Sequence, residues 1–200
     1  MIRKFTISLS FVFLFTYTGK NETPKRAECF DLKQETTVKK KNAIKISTPE
    51  KVKCNRNFCK LLSTIESGRD FTIVNGKFIG KYQFGPRALE QVDCPVNIED
   101  FKSNPEIFDS KKQDSVLFLL LKWNKKILKP YIKRYEGQEI KGVIVTRAGI
   151  LAAAHLGGAG NIMKFLKSNG EEDFKDGNGV PVSRYLKKFE KHQIHLEHYL

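Results

Sequence analysis

The stretch 109–135 constrains the fold more than any other part of this 200-residue chain. Its apolar positions Leu117, Leu120, Leu121, Ile127, Leu128, Tyr131 and Ile132 recur at three- and four-residue steps, the period of one face of an α-helix. Asp109 or Ser110 offers a side-chain oxygen to cap the first turn. At about 1.5 Å per residue such a helix is as long as a small domain is wide, so the rest of the chain must pack along it. Pro130 has no amide hydrogen and its ring crowds the preceding turn, so it is expected to kink the helix or divide it in two.

Shorter helical segments surround it. Phe58, Leu61, Leu62 and Ile65 lie at i, i+3, i+4 and i+7, and Gly68 supplies a C-terminal stop, which leaves Glu66 in the last turn. Pro86 opens a helix over 86–92. Thr146 can cap a helix over 147–156 made mostly of small residues, and Gly157-Gly158-Ala159-Gly160 breaks it. Two more helices are expected over 161–168 and 183–192. Between the first two helices, residues 70–84 hold β-branched and aromatic side chains around Asn75-Gly76, a pair that favours a tight turn between strands. The pattern predicts one mainly α domain over 54–200, with a small β-hairpin beside the helix that carries Glu66. No internal repeat is apparent.

The N-terminus sets the compartment. Arg3 and Lys4 precede an uncharged apolar run from Phe5 to Tyr17, followed by small and polar residues. That is the layout of a secretory signal peptide over 1–18, and about 13 residues fall short of the roughly 20 that span a bilayer. Cleavage after Thr18 or Gly19 is expected, an uncleaved anchor being the alternative. Residues 19–53 are rich in Lys, Thr, Glu and Asn, with Lys39-Lys40-Lys41 at the centre and few large apolar side chains, and read as a flexible basic linker. An exported, periplasmic or extracellular protein follows, with no stable membrane span once the leader is gone, and expected to be monomeric.

Cys29, Cys54, Cys59 and Cys94 fit disulfides in an oxidising compartment, with three pairings open. A zinc site is disfavoured, because Cys54 and Cys59 are spaced too widely and no histidine lies near them. Asp173, Asp176 and Asn178 lack the ligand order of a calcium loop and read as a plain turn. His192, His195 and His198 read as a frayed tail. No metal and no cofactor are expected. The formal charge is +14, and loss of Arg3 and Lys4 with the leader lowers it by two. An anionic partner is indicated. The basic residues are spread along the whole chain rather than clustered, so anionic cell-wall polymers or membrane surfaces suit the compartment better than nucleic acid.

The chemistry-bearing strings are Glu66-Ser67-Gly68-Arg69-Asp70 and Gly80-Lys81-Tyr82-Gln83-Phe84-Gly85. A third lies at Ala152-Ala153-Ala154-His155-Leu156-Gly157-Gly158-Ala159-Gly160. Here the chain resembles the lysozyme-like lytic transglycosylases and goose-type lysozymes, in which a helix ends in Glu-Ser-Gly and a downstream Gly-x-x-Gln lines the cleft. The resemblance covers about residues 55–190 and implies a lysozyme-like α+β fold and cleavage of peptidoglycan glycan strands at the MurNAc-GlcNAc β-1,4 bond. It implies Glu66 as the catalytic acid and the Gly80–Gln83 element as cleft lining; Ser67, Gly80, Tyr82, Gln83, Phe84, His155 and Gly157 are the expected substrate contacts, with a structural role the alternative for His155. Where the family has Tyr-Asn the chain has Ala154-His155, so the tyrosine that steadies the catalytic glutamate must be replaced, for instance by Tyr82, or lost.

Chemistry supports Glu66 independently. Glycosidic cleavage requires a proton donor at the leaving oxygen, and a carboxyl held against apolar neighbours stays protonated near neutrality. Gln83 offers both donor and acceptor to a sugar, while Tyr82 and Phe84 serve either as a platform for a sugar face or as core. A hydrolase needs a second carboxylate, for which Asp70, Glu90 and Asp93 are candidates and Asp70 is nearest. A lytic transglycosylase needs only one, and that reading is preferred. A hydrolytic muramidase and a binding module without turnover are the alternatives.

Overall fold

The computed structural model describes residues 56–176 and 179–196. The signal peptide and the basic linker lie outside the described residues, as do Cys29, Cys54 and His198. Seven α-helices, one 3-10 turn and two small hairpins make up what is described: a mainly helical domain.

The long helix, α4, runs unbroken over Ser110–Tyr135 with Pro130 inside it. Pro130 costs one main-chain hydrogen bond but does not divide the helix, because both sides of the proline are anchored: Leu128 and Ile132 are buried. Asp109 caps its first turn by accepting from the amides of Lys111 and Lys112. α1 (Arg56–Ser67) buries Phe58 and Leu62 completely, with Leu61 and Ile65 partly covered. Cys59, on the same helix, is disulfide-bonded, and Cys94 is buried.

The hairpin after α1 pairs β1 (Val74–Asn75) with β2 (Phe78–Ile79). Asn75 is a strand residue opposite Phe78, so the two turn residues are Gly76 and Lys77, one position beyond the expected Asn75-Gly76 turn. α2 (Pro86–Gln91) follows. α3 (Ile98–Ser103), the 3-10 turn Pro105–Phe108 and a second hairpin of β3 (Glu139–Ile140) and β4 (Val143–Ile144) are elements that periodicity did not single out. Each is too short to show a period. α5 (Arg147–Gly157) is capped by Thr146, whose hydroxyl accepts from the amide of Gly149 at 3.0 Å. It ends at Gly158 alone (φ 82°), and α6 (Ala159–Lys167) starts directly after it. The glycine run is therefore a one-residue hinge between two helices. α7 (Val182–Phe189) is shorter than expected and stops before His192.

Two apolar clusters form the core. One gathers α1, the first hairpin, α2, α3 and the N-terminal half of α4. The other gathers the C-terminal half of α4, the second hairpin, α6 and most of α7. α5 is shared, with Ala148, Leu151 and Ala152 in the first and Ile150, Ala153 and Ala154 in the second. Its small side chains let helices approach from both sides: a Cβ on Gly149 would lie 3.3 Å from the Leu186 backbone of α7. Ile65, next to Glu66, touches both clusters. Glu66 thus stands at the seam of the core.

Candidate active site

Glu66 is the penultimate residue of α1. The helix closes through Gly68 (φ 64°) and Arg69 (φ 76°), with the Arg69 amide reaching back to the Ser63 carbonyl at 3.0 Å, a left-handed stop that ends the α-helix one residue after Glu66. The carboxyl is half-buried, and its Oε1 is buried without a hydrogen-bond partner among the described residues. Its pKa is raised from 4.5 to about 7, first by burial and then by the charge of Asp176, with Lys188 opposing the rise. A carboxyl in that state can deliver or receive a proton near neutrality.

The second string is fastened to the first. Ser67 Oγ donates to the Lys81 carbonyl at 3.0 Å, which fixes the Gly80–Gly85 loop against the end of α1. The loop is anchored to α4 from the other side. Gln113, fully buried, accepts from the Lys81 amide at 2.7 Å and donates to the carbonyls of Phe71 and Phe108. Gly80 is required for this: its φ is 74°, and a Cβ there would meet Gln113 Oε1 at 2.4 Å. Lys81, only 8% exposed, bonds Ser110 at 2.7 Å and Asp114 at 2.8 Å.

Tyr82 and Phe84 are 2% and 0% exposed, so both belong to the core and offer no face to a sugar. The Tyr82 hydroxyl donates to Asp114 at 2.6 Å, and burial, followed by that carboxylate, holds its phenol well above the ordinary tyrosine pKa. With its hydroxyl proton committed to Asp114, Tyr82 does not donate to Glu66. Gln83 sits at φ 50° and turns its amide nitrogen back to the Gly80 carbonyl at 2.9 Å. His155 brings in the third string. Its Nε2 lies 2.8 Å from the Tyr82 carbonyl, so Nε2 must carry the proton, and burial lowers its pKa and keeps the ring neutral. Gly157 packs against Val182, and its carbonyl accepts from Asn161 at 2.7 Å. The three strings therefore converge, mainly through backbone carbonyls.

Asp70 is exposed and forms a local turn, accepting from the Thr72 amide at 2.8 Å and hydroxyl at 2.7 Å. Those bonds lower its pKa. It is not among the charges that act on Glu66.

No protein-family model, curated protein or solved structure matches the chain. The site therefore rests on its own geometry.

Three residues that the motifs did not reveal complete it. Asp176 lies in the turn before α7, its Oδ1 accepting from the Val180 amide at 2.7 Å, and it raises the Glu66 pKa. Tyr185 of α7 is buried, and burial followed by the charges of Glu66 and Asp176 raises its phenol pKa, so it stays protonated. Lys188 is exposed on the same helix and acts on Glu66 from the opposite sign. In sequence Asp176 read as a plain turn residue, and nothing in the helical pattern of 183–192 distinguished Tyr185 from core.

Proposed function

We propose that the chain is an exported peptidoglycan-cleaving enzyme with a lysozyme-like fold, monomeric, acting on the β-1,4 bond after MurNAc with Glu66 as general acid. The observation that carries this reading is the Glu66 carboxyl itself: at the end of a helix with one apolar face, with a pKa of about 7 and a buried oxygen that has no hydrogen-bond partner among the described residues. A protonated Glu66 donates to the glycosidic oxygen as the bond to the anomeric carbon breaks. The resulting carboxylate then takes the proton of the muramyl C6 hydroxyl as that oxygen attacks the anomeric carbon, leaving a 1,6-anhydro end. Tyr185, protonated and close enough to feel the charge of Glu66, is suited to steady the carboxylate in the role for which the family pattern has a tyrosine elsewhere. Gln83 and the ordered Gly80–Gly85 backbone border the reacting sugar.

Asp176 favours a second reading, a hydrolytic muramidase. It is a carboxylate that interacts with Glu66 across the site, and as a base it would take a proton from water attacking the anomeric carbon. Digestion of purified sacculi by wild type and Glu66→Gln, with mass spectrometry of the soluble fragments, separates the readings. Anhydro ends from wild type alone are expected. Reducing ends alone would make the enzyme a muramidase, and no product from either protein would leave a binding module.

A further inference from the structure

Beside the site, a groove of about 580 Å3 opens between the β3–β4 turn, the turn after α6 and the exposed side of α7. We propose that this groove is a subsite for the acidic peptide borne by the glycan strand, its carboxylates held by Lys141, Arg184 and Lys188. The inference rests on the peptidoglycan reading above and adds to it the part of the substrate that is not sugar.

The charges in the groove do not cancel. Asp173 is committed to α7, accepting from both the amide and the hydroxyl of Ser183, and Lys187 is paired with Glu190 at 3.0 Å. Glu171 lines the rim, opposed by Lys141, Arg184 and Lys188. No hydrogen bond or ion pair engages those three cations among the described residues. A net positive groove of this kind attracts an anionic ligand.

The cations are also placed. Lys141 is the first of the two left-handed residues of the β3–β4 turn (φ 54°), and its aliphatic stem lies over Gly170, where a Cβ would come within 2.6 Å of Lys141 Cγ. Gly170 thus leaves the space that the stem fills, and Lys141 lines the groove from there. Arg184 and Lys188 are four residues apart on α7 and share one face. Charges on two separate elements suit carboxylates spaced along a chain better than one compact anion. Lys188 connects the groove to the reaction centre, since it both lines the groove and acts electrostatically on Glu66. A strand lying across Glu66 would bring its appended peptide along α7.

The test measures binding of the full-length Glu66→Gln protein to two preparations of the same glycan strands, one carrying its peptides and one stripped by an amidase. Tighter binding to the peptide-bearing strands, by roughly 5- to 10-fold as expected for two or three partly exposed charge pairs, supports the subsite. The preference should fall when Lys141→Gln and Arg184→Gln are added, since Lys188 alone remains, with an unchanged thermal unfolding midpoint showing that the fold is intact. Equal binding to both strands, or a preference undiminished by the double substitution, overturns the inference. So does displacement by poly(glycerol phosphate) at lower concentration than by free acidic peptide, which would assign the groove to phosphate. If wild type cleaves both strands with the same kcat/KM, the subsite fails while the glycosidase reading stands. Absence of both binding and product sinks the two together.

Discussion

A carboxyl that titrates near neutrality weakens the fold whenever it ionises. The Glu66 pKa rises from 4.5 to about 7 on folding, so the protonated form is favoured in the native state. Its contribution is fully present below pH 4.5 and is lost as pH rises through 7, a change of up to about 3 kcal/mol. Urea unfolding at pH 5 and pH 8 should therefore show Glu66→Gln gaining on wild type at the higher pH. A constant difference would contradict the raised pKa. Activity that needs the protonated acid should fall above pH 7, and the neighbouring charges set where. Asp176 raises the Glu66 pKa and Lys188 lowers it, so Asp176→Asn should move the alkaline limb of kcat/KM to lower pH and Lys188→Gln to higher pH. Loss of reducing-end products in Asp176→Asn would further mark Asp176 as the base of a hydrolase. The helix-end position of Glu66 was legible in the sequence because an apolar helix face runs up to it and a glycine follows. Asp176 and Tyr185 were not, since their relation to Glu66 spans more than a hundred residues of chain and arises only from the packing of α7.

Among the elements, what the sequence revealed followed length and periodicity. α4 and α1 carry enough apolar positions to declare a helical face, and the caps at Asp109 and Thr146 mark where helices begin. The second hairpin has two residues per strand, too few for alternation to register, and it is held by Ile140 and Val143 in the second cluster. The Gly80–Gly85 loop shows a different limit. Its motif was visible, but its physical basis lies in Gln113, a residue of α4 that no local pattern connects to Gly80. Gly80→Ala should force both an unfavourable positive φ and displacement of Gln113 from its three hydrogen bonds. The expected cost is about 2–4 kcal/mol, read as a lowered urea midpoint with an unchanged slope. Gly76→Ala is the control, because open space surrounds Gly76 despite its positive φ, and it should lose only about 1–2 kcal/mol. A Gly80 variant no worse than the control would mean that the loop is not locked onto α4. Ser67→Ala, which removes the bond from α1 to the Lys81 carbonyl, should reduce activity more than stability.

At the scale of the whole molecule, Glu66 lies where the two core clusters meet, with α4 and α5 passing through both. No helix among the described residues is long and apolar enough to cross a membrane, and the charge of the chain, +14, is large for its size. Both facts bear on how it would hold an insoluble anionic polymer. Excess charge spread over a surface attracts through many weak contacts rather than a few strong ones, and each is screened by salt. Binding to sacculi should therefore weaken steadily between about 0.1 M and about 1 M salt, as the screening length falls from roughly 10 Å to roughly 3 Å. The same attraction weakens if the glycan is deacetylated, because each exposed amine adds a positive charge to the wall. Sedimentation of the Glu66→Gln protein with native and chemically deacetylated sacculi should show weaker binding to the latter at low salt, and the gap should close at high salt. A gap that persists at 1 M would mean that the acetyl groups are read by direct contact, with Gln83 the first residue to substitute. Equal binding at low salt would mean that the overall charge serves some partner other than the wall.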